Sequence, residues 1–357
     1  MRRLLPSAAV LATILVTLVA TVRPSSAASA SDPPPDPSAR VVADSQAIIG
    51  VGSDTTETLF ERLAAAYNLA HGRAAPLGSW RATGSSTIVP KAGCEPIARP
   101  NGSLPGITAL ATRQVLPDGR PCIDFARSLA PRTAGAPENS VFLPIARDAL
   151  TYAHNRTSNV PARLTVAQLN AIIECRATRW DQVGGASSES IQVFLPAIGP
   201  ALAALLRQLS GASAIGSCVR TVQQDQGTDP VLVGNRNALV LYSVGKYIGQ
   251  AEYGHSDEHG NLVLGAINGI PATLFNPTAG RVEINLGQVR GVPGIPESFR
   301  IIEYVVALRD QAGVLPPALG RLFADPDSWL CTSPAARHAI ADYGFLPLEH
   351  GACGQPS

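Results

Sequence analysis

Hydroxyl side chains gather in short turns of the chain: Ser53-Asp54-Thr55-Thr56, Gly84-Ser85-Ser86-Thr87, Asn101-Gly102-Ser103 and Arg127-Ser128. The first follows the apolar run Ala47-Ile48-Ile49 and leads at once into a helical pattern containing Leu59, Phe60 and Leu63. Hydroxyls and backbone amides at a strand-to-helix turn suit a small oxyanion, because each donates a hydrogen bond without neutralising the full charge. In open α/β sheets, ligands collect outside the carboxyl ends of strands, where such turns lie. A structural reading stands beside this one. Asp54 followed three residues on by Glu57 is a capping-box pattern, which would tie up the helix's free amides. An aspartate there repels a dianion, yet it can accept the proton of a partly protonated one.

Other chemistry finds less support. The chain has no GxSxG nucleophile elbow, Walker-A lysine loop or HExxH zinc motif, so neither an enzyme nor a cofactor is expected. His255-Ser-Asp-Glu-His259 places two imidazoles and two carboxylates within five residues, and a solvated loop is the better reading than a metal site. Asn101-Gly-Ser103 and Asn155-Arg-Thr157 match glycosylation sequons, a pattern too short to carry weight.

The elements that must position these turns alternate along the chain. Helical spacing covers 58–68, 166–174, 201–209, 238–251, 303–310 and 333–343; in the first, Leu59, Phe60, Leu63, Ala66 and Tyr67 share one face. Strand-like runs cover 46–51, 140–144, 191–195, 262–267 and 281–285. Such alternation predicts an α/β fold with largely parallel strands. Glu258-His-Gly-Asn261, between apolar segments, reads as a hairpin turn.

The first 30 residues stand apart. Met1-Arg2-Arg3 is a charged start, Leu4 to Val22 is mostly apolar, and Ala28-Ser29-Ala30 is a small-residue cleavage site. That layout is a secretory signal peptide, although the apolar stretch approaches membrane-spanning length. The proline-dense linker 31–40 is too poor in apolar residues to join a core. Without Arg2, Arg3 and Arg23 the 28 basic side chains fall to 25 against 27 acidic ones, no footprint for nucleic acid or an anionic membrane. Cys94, Cys122, Cys175, Cys218, Cys331 and Cys353 form no CxxC pair. An even number of cysteines in an exported chain reads as disulfides, with fifteen possible connectivities.

Several segments together carry a resemblance. They include Gly50-Val-Gly-Ser-Asp-Thr-Thr56, Lys91-Ala-Gly-Cys94, Arg99-Pro-Asn-Gly-Ser103, Cys122-Ile-Asp-Phe-Ala-Arg-Ser128, Phe142-Leu-Pro-Ile-Ala-Arg-Asp-Ala149, Leu164-Thr-Val-Ala-Gln-Leu169, Trp180-Asp-Gln-Val-Gly-Gly185 and Tyr343-Gly-Phe-Leu-Pro-Leu348. In this order the chain resembles the phosphate-binding, PstS-like proteins of ABC importers, especially a divergent secreted branch from actinobacteria. The resemblance implies a two-lobed periplasmic-binding-protein-like type II fold with two crossovers and a ligand cleft between the lobes. Lobe 1 would be 41–144 plus 298–353, and lobe 2 145–297. The local cysteine set 94–122, 175–218 and 331–353 then keeps every pair within one lobe.

The same resemblance implies a small-molecule ligand, phosphate, and a permease as partner, with no membrane span in the mature chain. The lobe-1 ligand elements map onto Ser53, Asp54, Thr55 and Thr56, onto Gly102 and Ser103, and onto Arg127 and Ser128. The aspartate that often follows that serine in the family is here Leu129. The lobe-2 turn departs further: Gly199-Pro200-Ala201-Leu202 stands where Gly-Ser-Gly-Thr is expected. Pro200 has no amide hydrogen, and losing several donors at ~1–3 kcal/mol each would lower affinity by orders of magnitude. The alternative function is therefore a secreted protein that keeps the fold, has lost phosphate binding, and acts as scaffold, sensor or binder of another ligand. Whether the polar turn 223–228 replaces the lost donors is a question for the structure.

Overall fold

The computed structural model describes residues 44–356 except 73–74, 197–205, 208–210, 257 and 288–290. The leader 1–30, the linker 31–40, the Gly199–Leu202 turn and most of the expected helix 201–209 lie outside the described residues.

A ten-stranded sheet organises the body. Its strands are β1 (Ile48–Gly52), β2 (Leu77–Ser79), β3 (Phe125–Ser128), β4 (Ser140–Asn155), β5 (Gln192–Leu195), β6 (Arg220–Thr221), β7 (Ala238–Ser243), β8 (Leu262–Leu264), β9 (Arg300–Leu308) and β10 (Leu346–Pro347). They run in the order β2-β1-β3-β9-β4-β7-β5-β6, with β8 and β10 also paired to β4. The helices are α1 (Glu57–His71), α2 (Ser103–Ala111), α3 (Val166–Ile173), α4 (Val244–Ala251), α5 (Pro317–Phe323), α6 (Trp329–Thr332) and α7 (Pro334–Asp342).

The expected parallel sheet is found only towards the two ends of this order. There β2, β1 and β3 pair in parallel, as do β7, β5 and β6. In the middle, β9 runs antiparallel to β3 and β4, and β4 runs antiparallel to β7. The sheet is therefore mixed. β4 spans 16 residues, far beyond the expected 140–144. Its first half pairs with β9 and its second half with β7 and β8, so one strand serves both ends of the sheet.

Two expected helices are corrected by the structure. Of the segment 303–310, residues 303–308 belong to β9, where Ile301, Ile302, Val305 and Val306 supply β-branched side chains to a strand paired on both edges. In 238–251, Ala238–Ser243 is strand and only Val244–Ala251 is helix. All six residues of β7 are buried, and a fully apolar buried run has no period by which to tell strand from helix. The helix starts at Ser243, whose Oγ accepts from Lys246 N. The turn 258–261 is also corrected: it joins α4 to β8, so no hairpin forms there.

Helices cover both faces of the first part of the sheet. On one face Phe60, Phe125 and Phe323 form a ring cluster with centroids 5.1–6.1 Å apart. On the other, Ile49, Val51, Leu110, Phe142 and Val306 pack together under α2. A separate core gathers Tyr152, Leu169, Ile172, Trp180, Val193, Leu239 and Ile248. The disulfides are Cys94–Cys122, Cys175–Cys218 and Cys331–Cys353, the local set. No helix among the described residues is long and apolar enough to cross a membrane.

Candidate functional site

β1 ends at Gly52 in a left-handed conformation (φ 118°), and the chain turns through Ser53–Thr56 into α1. These four residues are almost wholly buried, at 0–1% exposure. Gly52 pairs with Arg127 on β3 and bridges Asn101, so the three hydroxyl turns assigned to one site come together. Close approach of α2 depends on Gly106, where an added Cβ would lie 2.5 Å from Gly52 Cα. Leu129 N donates to Ser103 Oγ at 3.2 Å, which ties the start of α2 to the end of β3.

The capping box suggested by Asp54 and Glu57 does not form. Thr56 is the N-cap and makes no side-chain cap bond. Glu57 instead accepts from Ala82 N at 2.8 Å and lies 3.5 Å from Lys246 Nζ. Ser53 Oγ, Asp54 Oδ1 and Thr56 Oγ1 are buried with no hydrogen-bond partner among the described residues. Buried polar atoms are nearly always paired, so three unpartnered oxygens in one turn are available to a polar ligand.

The other residues assigned to the site have different employments. The Arg127 guanidinium is fully buried and donates to Ser53 O (2.8 Å), Trp80 O (2.9 Å), Gly52 O (3.2 Å) and Ser79 Oγ. Its charge lies behind the turn, and its hydrogen bonds hold the turn's carbonyls. Ser128 Oγ donates to Ala130 O and accepts from Ala130 N, a local turn contact. Gly102 precedes α2 with φ 100°. The turn 84–87 is held by Arg99, whose Nε donates to Ser85 O.

Opposite the Ser53 turn stands Gln223-Gln224-Asp225. Gln223 Nε2 donates to Asp54 Oδ2 at 2.6 Å, and Gln224 Nε2 donates to Thr55 Oγ1 at 2.6 Å. Thr55 Oγ1 in turn donates to Asp225 Oδ2 at 2.9 Å. Asn101 and Gln223 exchange amide hydrogen bonds beside them. The polar turn 223–228 therefore does reach the hydroxyls. It brings a carboxylate as well as donors.

Carboxyl groups dominate the surroundings. Asp148 on β4 accepts from Ser243 Oγ (2.6 Å), Gly245 N (2.8 Å) and Ala149 N (2.6 Å). Glu303 on β9 is fully buried, its two carboxyl oxygens have no hydrogen-bond partner among the described residues, and Asp148 raises its pKa. Burial pushes Asp148 up to about 7. Burial, then Asp148 and Asp225, holds Glu303 well above the usual carboxylate range. Burial, then Asp225 and Glu57, does the same to Asp54. Among them Lys246 Nζ lies 3.5 Å from both Glu57 and Glu258 and 3.3 Å from Asp54 O. Burial alone would lower its pKa; Glu57, Glu258, Asp54 and Asp225 outweigh burial and leave it raised.

Lys246, Asp148 and Glu303 were absent from the sequence-based site. A signal existed: Lys246 and Glu303 are each a lone charge inside a largely apolar run, and Asp148 sits beside Arg147 in another. No group of three or more His, Cys, Asp or Glu among the described residues is placed to hold a metal ion. In the 255–259 loop, His255 lies against Asp342 and stacks on Tyr343, while His259 packs on Tyr247. The sequon Asn155 is buried, its amide donating to Leu232 O and Asn235 O.

No protein-family model and no curated protein matches the chain. Solved structures do. One is assigned as a phosphate ABC transporter substrate-binding protein with bound phosphate, from Clostridium perfringens. It is 13% identical with a TM-score of 0.57, over 85% of this chain and 100% of that one. Another is an ABC-type phosphate transport receptor from Vibrio cholerae, 16% identical with a TM-score of 0.51, over 84% of this chain and 100% of that one. The likeness shows the fold: a mixed α/β architecture of the two-lobed, periplasmic-binding-protein type.

Proposed function

We propose that this chain is an exported, non-catalytic solute-binding protein of the phosphate type, closing two lobes over a small oxyanion for an ABC importer. The observation that carries this reading is the uncapped turn at the start of α1, with Ser53 Oγ and Thr56 Oγ1 buried and unpartnered. Hydroxyl donors beside a helix N-terminus suit an oxyanion. Asp54, whose affinity for a proton is raised by burial and then by Asp225 and Glu57, adds a group that shares a proton with the ligand. In this reading Ser53, Thr55, Thr56, Gly102 and Ser103 face the ligand, Arg127 holds the turn that presents them, and Ser128 is tied to Ala130. Lobe 1 is 41–144 with 298–353 and lobe 2 is 145–297, hinged where β4 and β9 run side by side. The fold neighbours described with phosphate support the ligand class. Export rests on the 1–30 leader and the three disulfides, which persist in oxidising compartments.

Calorimetric titration of phosphate into residues 31–357, denatured and refolded beforehand to strip carried ligand, tests the reading with sulfate as control. Micromolar or tighter phosphate binding is expected. A folded protein that releases no heat with phosphate sinks the reading and leaves the fold-retaining alternative.

A further inference from the structure

We infer that Asp225 is a built-in occupant of the oxyanion site, an internal carboxylate that an incoming anion must displace; this rests on the solute-binding reading above. The carboxylate spans two helix starts. Its Oδ2 accepts from Thr55 Oγ1 in the turn before α1, at 2.9 Å, and from Gln224 Nε2 at 3.5 Å. Its Oδ1 accepts from Ser243 N, at the N-cap of α4, at 2.8 Å. A hydroxyl, a side-chain amide and a backbone amide converging on a buried carboxyl group are the donor set that an oxyanion would use.

The placement is built from behind. Asp225 has φ 51°, a left-handed conformation that non-glycine residues adopt only when their surroundings hold them there. Its own carbonyl accepts from Tyr242 OH at 2.6 Å and Gln250 Nε2 at 3.0 Å. The space left beside it, lined by Leu129, Leu150, Gln224, Tyr242 and Ser243, is about 10 Å³. That holds at most a single water and no tetrahedral anion. The fit is also incomplete. A planar carboxylate reaches Thr55 and Ser243, while Ser53 Oγ and Thr56 Oγ1 stay without partners. A tetrahedral oxyanion has oxygens for those as well. Displacement would release Asp225 from Thr55 and part the Gln223–Asp54 and Gln224–Thr55 contacts, so the occupant and the closure give way together.

The test is phosphate titration of the mature chain beside Asp225→Gly and Asp225→Asn, each shown folded by near-ultraviolet circular dichroism. Glycine suits the left-handed backbone and clears the space; asparagine keeps the size and removes the charge. The glycine variant is expected to bind phosphate about tenfold tighter or more, with asparagine in between. Equal or weaker binding by the glycine variant, with measurable binding by the wild type, overturns the inference and leaves the solute-binding reading intact. Binding by the variants alone supports the inference and shows the native site shut, which removes the proposed function. Silence in all three folded proteins towards phosphate and sulfate overturns both. Should the glycine variant fail to fold, Asp225→Asn decides alone: tighter binding supports the inference and unchanged binding overturns it.

Discussion

The Ser53–Thr56 turn and the Gln223–Asp225 segment meet side chain to side chain, and they are built in opposite ways. The first has its backbone fixed by Arg127 and its side-chain oxygens largely unpaired. The second has a strained backbone and a carboxylate whose two oxygens are both paired. One side offers donors that lack an acceptor, the other an acceptor already served. A site of this kind is poised between holding its own carboxylate and holding a ligand. Beside it lie the buried Lys246, between Glu57 and Glu258, and the acid pair Asp148 and Glu303 on β4 and β9.

The largest expected effect breaks that balance. Lys246→Met removes the cation that Glu57 and Glu258 share and should destabilise the fold by roughly 3–5 kcal/mol near pH 7, read from urea unfolding. A loss below about 1 kcal/mol would show that the buried cation contributes nothing beyond packing.

Next comes the acid pair. Folded Asp148 keeps its proton up to about pH 7, whereas in the unfolded chain it ionises near 3.8. Between those values the folded state binds more protons, so this contribution to stability is complete below about pH 4 and is lost as pH rises through 7. The loss is on the order of 2–4 kcal/mol. Urea midpoints should fall from pH 4.5 to pH 8, and Asp148→Asn should flatten the trend. Midpoints that rise over this range in both proteins would contradict the assignment.

The smallest effect sharpens the contrast within the turn itself. Ser53→Ala and Thr56→Val should each weaken phosphate binding by ~1–3 kcal/mol while shifting stability by less than about 0.5 kcal/mol, because their hydroxyls lack partners in the fold. Thr55→Val should instead lower stability by about 1 kcal/mol, since its hydroxyl serves Asp225 and Gln224. Identical stability changes in all three would show that Thr55 is no better paired than Ser53 and Thr56.

Local chemistry was legible in the amino-acid sequence. Helices 57–71, 166–173 and 334–342 show their apolar faces at helical spacing, and the hydroxyl turns stand between strand-like and helical patterns. Where a run is almost wholly apolar, as in 238–242, the sequence has no period to report, and burial on both faces decides for strand. Likewise, Asp54 and Glu57 carry a capping pattern that only tertiary contacts overrule: Ala82 and Lys246 take Glu57 away from the helix start. Thr55 meets Asp225 across 170 residues of chain, and Asp148 meets Ser243 across 95. No local rule spans such distances. The sequence by itself determined which turns have donors to offer; the closure of β4 and β9 into one sheet decided which acceptor reached them.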